Sequence, residues 1–278
     1  MRHDEGYDSP DVEDRRGEPS RGGGGGGGLG LLFQLVSWFG WKGGLIAFAL
    51  VAGASYFLGG GGHGVTGSAP QHAGHDAARA FVGQVLDDVQ ATWAARISGY
   101  RKAHVVLYSD ATATGCGTGE AAVGPFYCPR DERVYLDVTF FDKLKRRLGA
   151  PGDFAQAYVI AHELGHHVQK LTGVSEQVER APRAALNGEH GLSVKLELQA
   201  DCYAGVWAAS AEKRGLLDPG DLDEAINAAA AVGDDRLQRQ ATGTVQPEKW
   251  THGSSAERKR WFRTGHDSGD AAACNTFR

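Results

Sequence analysis

"PGDFAQAYVIAHELGHHVQKLTG", residues 151–173, reads as one helix with both ends marked. Pro151 and Asp153 suit a first turn, and Gly173 suits the stop. Between them lies the pattern H-E-x-x-H, formed by His162, Glu163 and His166. On an α-helix, residues i and i+4 lie on one face, so both imidazoles can aim a nitrogen at a single metal ion. Glu163, next to the first of them, can reach a water on that ion but is badly placed to coordinate. This is the spacing of helical zinc sites in which the glutamate works as a base. Val159, Ile160 and Leu164 make the surroundings apolar, and a buried cluster of two histidines and a glutamate is costly to desolvate without a metal. The bland alternative is a surface helix with three polar residues.

A catalytic zinc has three protein ligands and one open position. The extended pattern with a third histidine is absent, because Val174 stands nearby instead. Downstream, "KLELQADCYAGVWA" places Glu197 and Asp201 four apart on a strongly helical stretch. Glu197 is the candidate third ligand. Asp201, one turn on, can accept from the non-ligating nitrogen of a zinc histidine and set its tautomer. A solvated helix face is the competing reading for Glu197. Leu196, Leu198, Ala200 and Cys202 weaken it, since they make this helix look buried on several sides. His167 points about 100° away from His166 and reads as a packing or solvent-facing residue. His252, in "WTHGSSAERKRWF", is a candidate catalytic residue, an electrophilic stabiliser. The competing role is to help start the final helix beside Ser254 and Ser255. Asp234 and Asp235 read as a helix-surface pair that could bind a cation, with a solvated pair the favoured reading.

Around these helices the pattern is that of an α+β domain, mostly helical with a small sheet. Phe81, Val85, Val89, Trp93 and Ile97 recur every four residues and predict a helix from Ala77 to Ile97. "HVVLYS" (104–109) and the start of "RVYLDVTFF" (133–141) predict strands, the latter turning into a helix near Asp142 to Leu148. Further helices are predicted over about Glu176–Leu186, Leu192–Arg214, Leu222–Gln240 and Ser255–Thr264. Two or three strands are expected in all. "RVYLD" precedes the zinc helix and is a candidate for an edge that could pair with an extended peptide. Four cysteines allow three pairings. Cys116 and Cys128 bracket a short glycine-containing loop, which favours a local bridge and leaves Cys202 with Cys274.

The first 28 residues carry seven acids and four arginines and end in seven glycines, Gly22 to Gly28. Too polar to offset chain entropy, they are expected to be a disordered acidic and glycine-rich cytoplasmic tail. An apolar region follows. Gly43 to Leu58 is uncharged over sixteen residues, and Leu31 to Trp41 extends it toward the roughly 17 to 25 residues a span needs. Trp38 and Trp41 suit an interface and Lys42 can snorkel. Residues 29–60 are therefore expected to be an uncleaved transmembrane anchor, 61–74 a flexible linker, and 75–278 the zinc domain. Lys and Arg lie before or within the apolar region, which predicts a single pass at the cytoplasmic membrane, N-terminus in and catalytic domain out. Net charge is −5, with no basic footprint of a nucleic-acid binder.

The chain resembles the bacterial membrane-anchored "putative neutral zinc metallopeptidase" family, a zincin group with a glutamate third ligand. The resemblance rests on "DVEDRRG", the glycine tract, "GPFYCP", "VYLD", "HELGHHVQ", "ELQADCYAGVW" and "THGSSAERKRWF". It implies a zincin-like fold and one zinc per chain on His162, His166 and Glu197, with Glu163 as base. A peptide or protein would be the substrate. Hydrolysis of a non-protein amide would use the same chemistry. The reading from a different class is a membrane-tethered interaction protein with a structural zinc. Such a site normally closes with four protein ligands, whereas three well-spaced ligands and an unused Glu163 favour catalysis.

Overall fold

The computed structural model describes residues 1–18, 77–120 and 123–278. Strand β1 (Val12–Asp14) pairs in parallel with β2 (His104–Tyr108). A hairpin of β3 (Ala111–Thr114) and β4 (Gly117–Glu120) follows, then β5 (Phe126–Cys128) and β6 (Arg133–Asp137). The main sheet has the order β1-β2-β6-β5, with β2 and β6 parallel and β5 antiparallel to β6. Side chains alternate across it, as a pleated strand requires. Val105, Leu107, Val134 and Leu136 enter the main core, while Val106, Tyr108 and Tyr135 enter a smaller cluster behind. The hairpin lies against that second face, where Gly119 touches the Phe126 ring and the Cys116–Cys128 disulfide joins hairpin to β5. β6 is thus an internal strand, and β5 stands at the edge.

The described strands outnumber the two or three expected. β5 is three residues long, and β3 and β4 are built from Ala, Thr and Gly, so neither offers an apolar alternation to read.

Helix α1 (Ala77–Ala94) buries Phe81, Val85, Val89 and Trp93 on one stripe. After α2 (Thr139–Arg146) comes α3 (Asp153–Leu171), the H-E-x-x-H helix, which is buried along most of its length. Gly173, with φ 80°, ends it where a left-handed residue is needed. α4 (Val174–Glu179) is shorter than predicted, because the chain turns at Pro182 into a single 3₁₀ turn, Arg183–Ala185. α5 (Leu192–Lys213) carries Glu197 and Asp201. The predicted 222–240 helix is two, α6 (Asp221–Ala231) and α7 (Asp234–Thr242), broken at Gly233. A Cβ there would overlap the backbone of Ser255. α8 (Ser255–Ser268) opens with Ser254 as N-cap in a reciprocal capping box with Glu257.

Two close crossings bring the functional helices together. Gly165 on α3 lies against Ala200 on α5, where an added Cβ would stand 3.0 Å from the Ala200 Cα. Gly205 on α5 and Gly265 on α8 face each other's helix, and a Cβ on either would overlap backbone atoms of Phe262 or Cys202. Backbone cannot yield as a side chain can. Gly265→Ala is therefore expected to destabilise at or above the upper end of the roughly 1–3 kcal/mol typical of overpacking. A urea titration checks this: the midpoint should fall with little change in slope.

The N-terminal segment requires a correction. Residues 1–18 are not a disordered tail. β1 adds to the sheet, and four of the segment's seven acids have cationic partners: Asp8 with Arg79, Asp11 with Lys102, Glu13 with Arg133 and Asp14 with Arg16. The Met1 ammonium lies 2.9 Å from Asp153 at the start of α3 and 3.0 Å from Asp221 at the start of α6. A composition reading counts these four carboxylates as net charge and cannot see their partners. The remainder of the expected tail, the expected anchor at 29–60 and the linker at 61–74 lie outside the described residues.

The single-pass reading is overturned as well. No helix among the described residues is long and apolar enough to cross a membrane. Moreover, β1 and β2 pair directly on either side of residues 19–76. One crossing between them would put two hydrogen-bonded strands on opposite faces of a bilayer. The fold class is corrected to a mostly helical domain with a small sheet, in which no helix among the described residues spans a membrane, and the N-in, C-out placement is withdrawn.

Candidate metal centre

α3 and α5, held close at Gly165 and Ala200, face His162 and His166 toward Glu197. One ligand atom from each of the three lies within 4.8 Å of the others. His162 Nε2 is 3.2 Å from Glu197 Oε2, and His166 Nε2 is 3.4 Å from Glu197 Oε1. Donors around a tetrahedral zinc at its usual bond lengths stand about 3.3 Å apart. The residues therefore fit a zinc ion. Among the described residues this group holds three such donors, and all four cysteines are in disulfides, Cys116–Cys128 and Cys202–Cys274.

The other ring nitrogens are engaged. His162 Nδ1 lies 2.9 Å from Asp201 Oδ1. A carboxylate only accepts, so Nδ1 carries the proton and Nε2 is left to face Glu197. Asp201 is fully buried and also accepts from Tyr158 Oη at 2.5 Å and from Arg258 Nε and Nη2 at 2.8 and 2.9 Å. Burial alone would raise the Asp201 pKa; the Arg258 charge and the His162 bond hold it below the ordinary carboxylate value. Glu197 is likewise pushed up by burial but held well below its ordinary value by the His166 charge and the bonds from both histidines. His162 is opposed by burial yet raised to about 10 by Asp201 and Glu197.

Glu163 is 8% exposed and follows His162 on α3. His252 sits in the loop before α8. Asp234 Oδ2 accepts from the backbone N–H groups of Thr251, His252 and Gly253 at 2.7, 2.7 and 3.1 Å, and Oδ1 lies 3.2 Å from His252 Nδ1. Gly253 packs on Val194 and Leu198, the α5 residues that bracket Glu197. The loop therefore holds His252 beside the cluster with its side chain half exposed.

The "putative neutral zinc metallopeptidase" family matches residues 1–277. The chain belongs to this family. It is 47% identical over 290 residues to the uncharacterized protein YpfJ of Escherichia coli, covering 97% of this chain and 96% of that protein. It is 48% identical over 202 residues to the uncharacterized protein Mb2605 of Mycobacterium bovis, covering 69% of this chain and 68% of that protein. No solved structure matches.

In this member of the family His167 takes the packing role, one of its two sequence readings, while Asp234 and Asp235 depart from theirs. His167 is fully buried away from the cluster, 3.0 Å from Tyr127 Oη and 2.7 Å from the Arg101 carbonyl, so it packs α3 onto β5. Asp234 and Asp235 are not a solvated pair; Asp234 organises the His252 loop and Asp235 accepts from Ser255 N and Oγ. Arg258 and Tyr158 were missed. Tyr158 is one turn before His162, a spacing that could have found it. Arg258 stands in "AERKRWF", which reads as a basic surface run.

Proposed function

We propose that the chain is a zinc-dependent hydrolase of peptide bonds. The observation that carries the reading is the convergence of both Nε2 atoms on Glu197 while both Nδ1 atoms are occupied elsewhere. Membership of a metallopeptidase family supports the coarse class. His162, His166 and Glu197 would hold the ion, and a zinc ion there supplies a Lewis acid that polarises the scissile carbonyl and makes an attacking water more acidic. Glu163 takes the proton from that water and passes it to the leaving nitrogen. Asp234 accepts from His252 Nδ1 and, against the effect of burial, raises the ring's pKa, so that His252 as an imidazolium donates from Nε2 to the carbonyl oxygen as negative charge develops there. A structural zinc in an interaction protein would want a fourth protein donor, and the described cluster offers three.

Purified protein should carry one zinc per chain, and Ala at His162, His166 or Glu197 should remove most of it. Full occupancy in His166→Ala, measured by metal analysis, would sink the ligand assignment. A digest of a mixed peptide library, with and without a chelator, tests the activity itself.

A further inference from the structure

His166 has no carboxylate behind it. Its Nδ1 lies 2.8 Å from Gln169 Oε1, one turn along α3. An amide side chain can face either way, but here the direction is set. Gln169 Nε2 lies 2.7 Å from the Leu196 carbonyl oxygen, an atom that can only accept. The nitrogen must be on that side, so the oxygen faces His166, and His166 must carry its proton on Nδ1. Gln169 Nε2 also donates to Gln199 Oε1 at 3.1 Å, and Gln199 Nε2 donates to the Cys274 carbonyl at 3.0 Å. The chain of bonds is thus closed at both ends by backbone carbonyls, and neither glutamine can flip without stranding a buried donor.

Burial makes this order costly to break. Gln169 and Cys274 are fully buried and Gln199 nearly so. An unpaired amide in such a place costs about 1–3 kcal/mol. The far end is not a loose terminus. The turn Ala271–Cys274 is tied to α5 by the Cys202–Cys274 disulfide, and Thr276 Oγ1 donates to the Lys195 carbonyl at 2.6 Å. Cys202 is also the neighbour of Asp201, the partner of His162.

We propose that Gln169 is a positioning residue for His166, and that through Gln199 it takes its own orientation from the disulfide-tied C-terminal segment. His162 is oriented by a charged group and His166 by a neutral relay. The relay adds no further negative charge beside the cluster, while still presenting Nε2 to the ion. The inference rests on His166 being a zinc ligand.

The test reads zinc affinity by competition with a chromophoric chelator, and the thermal midpoint of the zinc-free protein, in the full chain. Gln169→Met keeps the shape and removes the acceptor. Its affinity should fall about 10–100-fold, the usual effect of losing a group that orients a metal ligand. Gln169→Glu keeps an oxygen for His166 but no donor for Leu196 or Gln199. It should lose thermal stability as Gln169→Met does, yet bind zinc within about threefold of the parent, because the bond to the ligand survives. A purely structural role would move affinity and stability together in both variants. Gln199→Met, which leaves Gln169 its Leu196 contact, should weaken zinc by a few-fold and serves if Gln169→Met does not fold. Parental affinity in Gln169→Met, or in Gln199→Met where that stands in, overturns the proposal, as does Gln169→Glu binding no better than Gln169→Met. His166→Ala separates the two levels. If it binds zinc like the parent, the ligand reading and the relay fall together. If it loses zinc while Gln169→Met does not, only the relay falls.

Discussion

Glu163→Gln should keep its zinc and its fold while losing on the order of 10²-fold or more in turnover. Glutamine has the shape of glutamate and still makes hydrogen bonds, but it cannot take a proton. The three ligands are untouched by the change, so metal content should equal the parent's. Glu163 is nearly buried beside His162, and an uncharged replacement there does not add a desolvation penalty, so the thermal midpoint should not fall. Glu163→Asp should also be slow, because the carboxylate retreats by one methylene and proton transfer demands contact. The measurement is kcat on a peptide recovered from the library digest, with zinc occupancy determined on the same samples. A protein that keeps zinc only as a staple would be indifferent to both substitutions. Cleavage by Glu163→Gln at the parental rate would end the general-base role, whatever the metal does.

Where chemistry and helical geometry coincide, the sequence was readable. His162, Glu163 and His166 lie on one helix whose ends are marked by Pro151 and Gly173, and the structure brings Glu197 to them from α5. Asp201 was legible for the same reason, being one turn from Glu197. The disulfides followed from four cysteines and one short loop. What could not be read depends on contacts between distant segments. The acidic head looks unfoldable alone, because its partners Arg79, Lys102 and Arg133 belong to the domain. Its strand β1 is three residues long and has no pattern of its own. The apolar region after it invited a membrane reading that a one-dimensional hydropathy argument cannot test against strand pairing. Gln169 sits at i+3 from His166, a spacing that could have been noticed, but nothing local signals that Gln199 and the Cys274 carbonyl complete its bonds.

Arg258 is the residue whose loss should cost the fold most. It is 3% exposed and forks onto both oxygens of Asp201, with Nη2 also 3.2 Å from Tyr158 Oη. The Gly205–Gly265 crossing lets α8 come close enough to α5 for this to happen. Arg258→Met removes the guanidinium and leaves a buried carboxylate with only Tyr158 and His162 to face it. Breaking a buried pair in this one-sided way costs about 3–5 kcal/mol. The sign with pH follows from the lowered pKa of Asp201. The stabilisation is fully present above the unfolded carboxylate value of about 3.9 and fades as pH falls through the lower folded value. The gap between parent and variant, read from urea unfolding, should therefore narrow in acid. A second substitution separates charge balance from ligand orientation. Arg258→Met with Asp201→Asn leaves no unpaired charge and should recover most of the lost stability. It should not recover zinc affinity, because His162 then has an amide in place of the carboxylate that raises its basicity as a ligand. If the double variant is no more stable than Arg258→Met, the cost lies in lost packing of the arginine side chain rather than in a stranded Asp201.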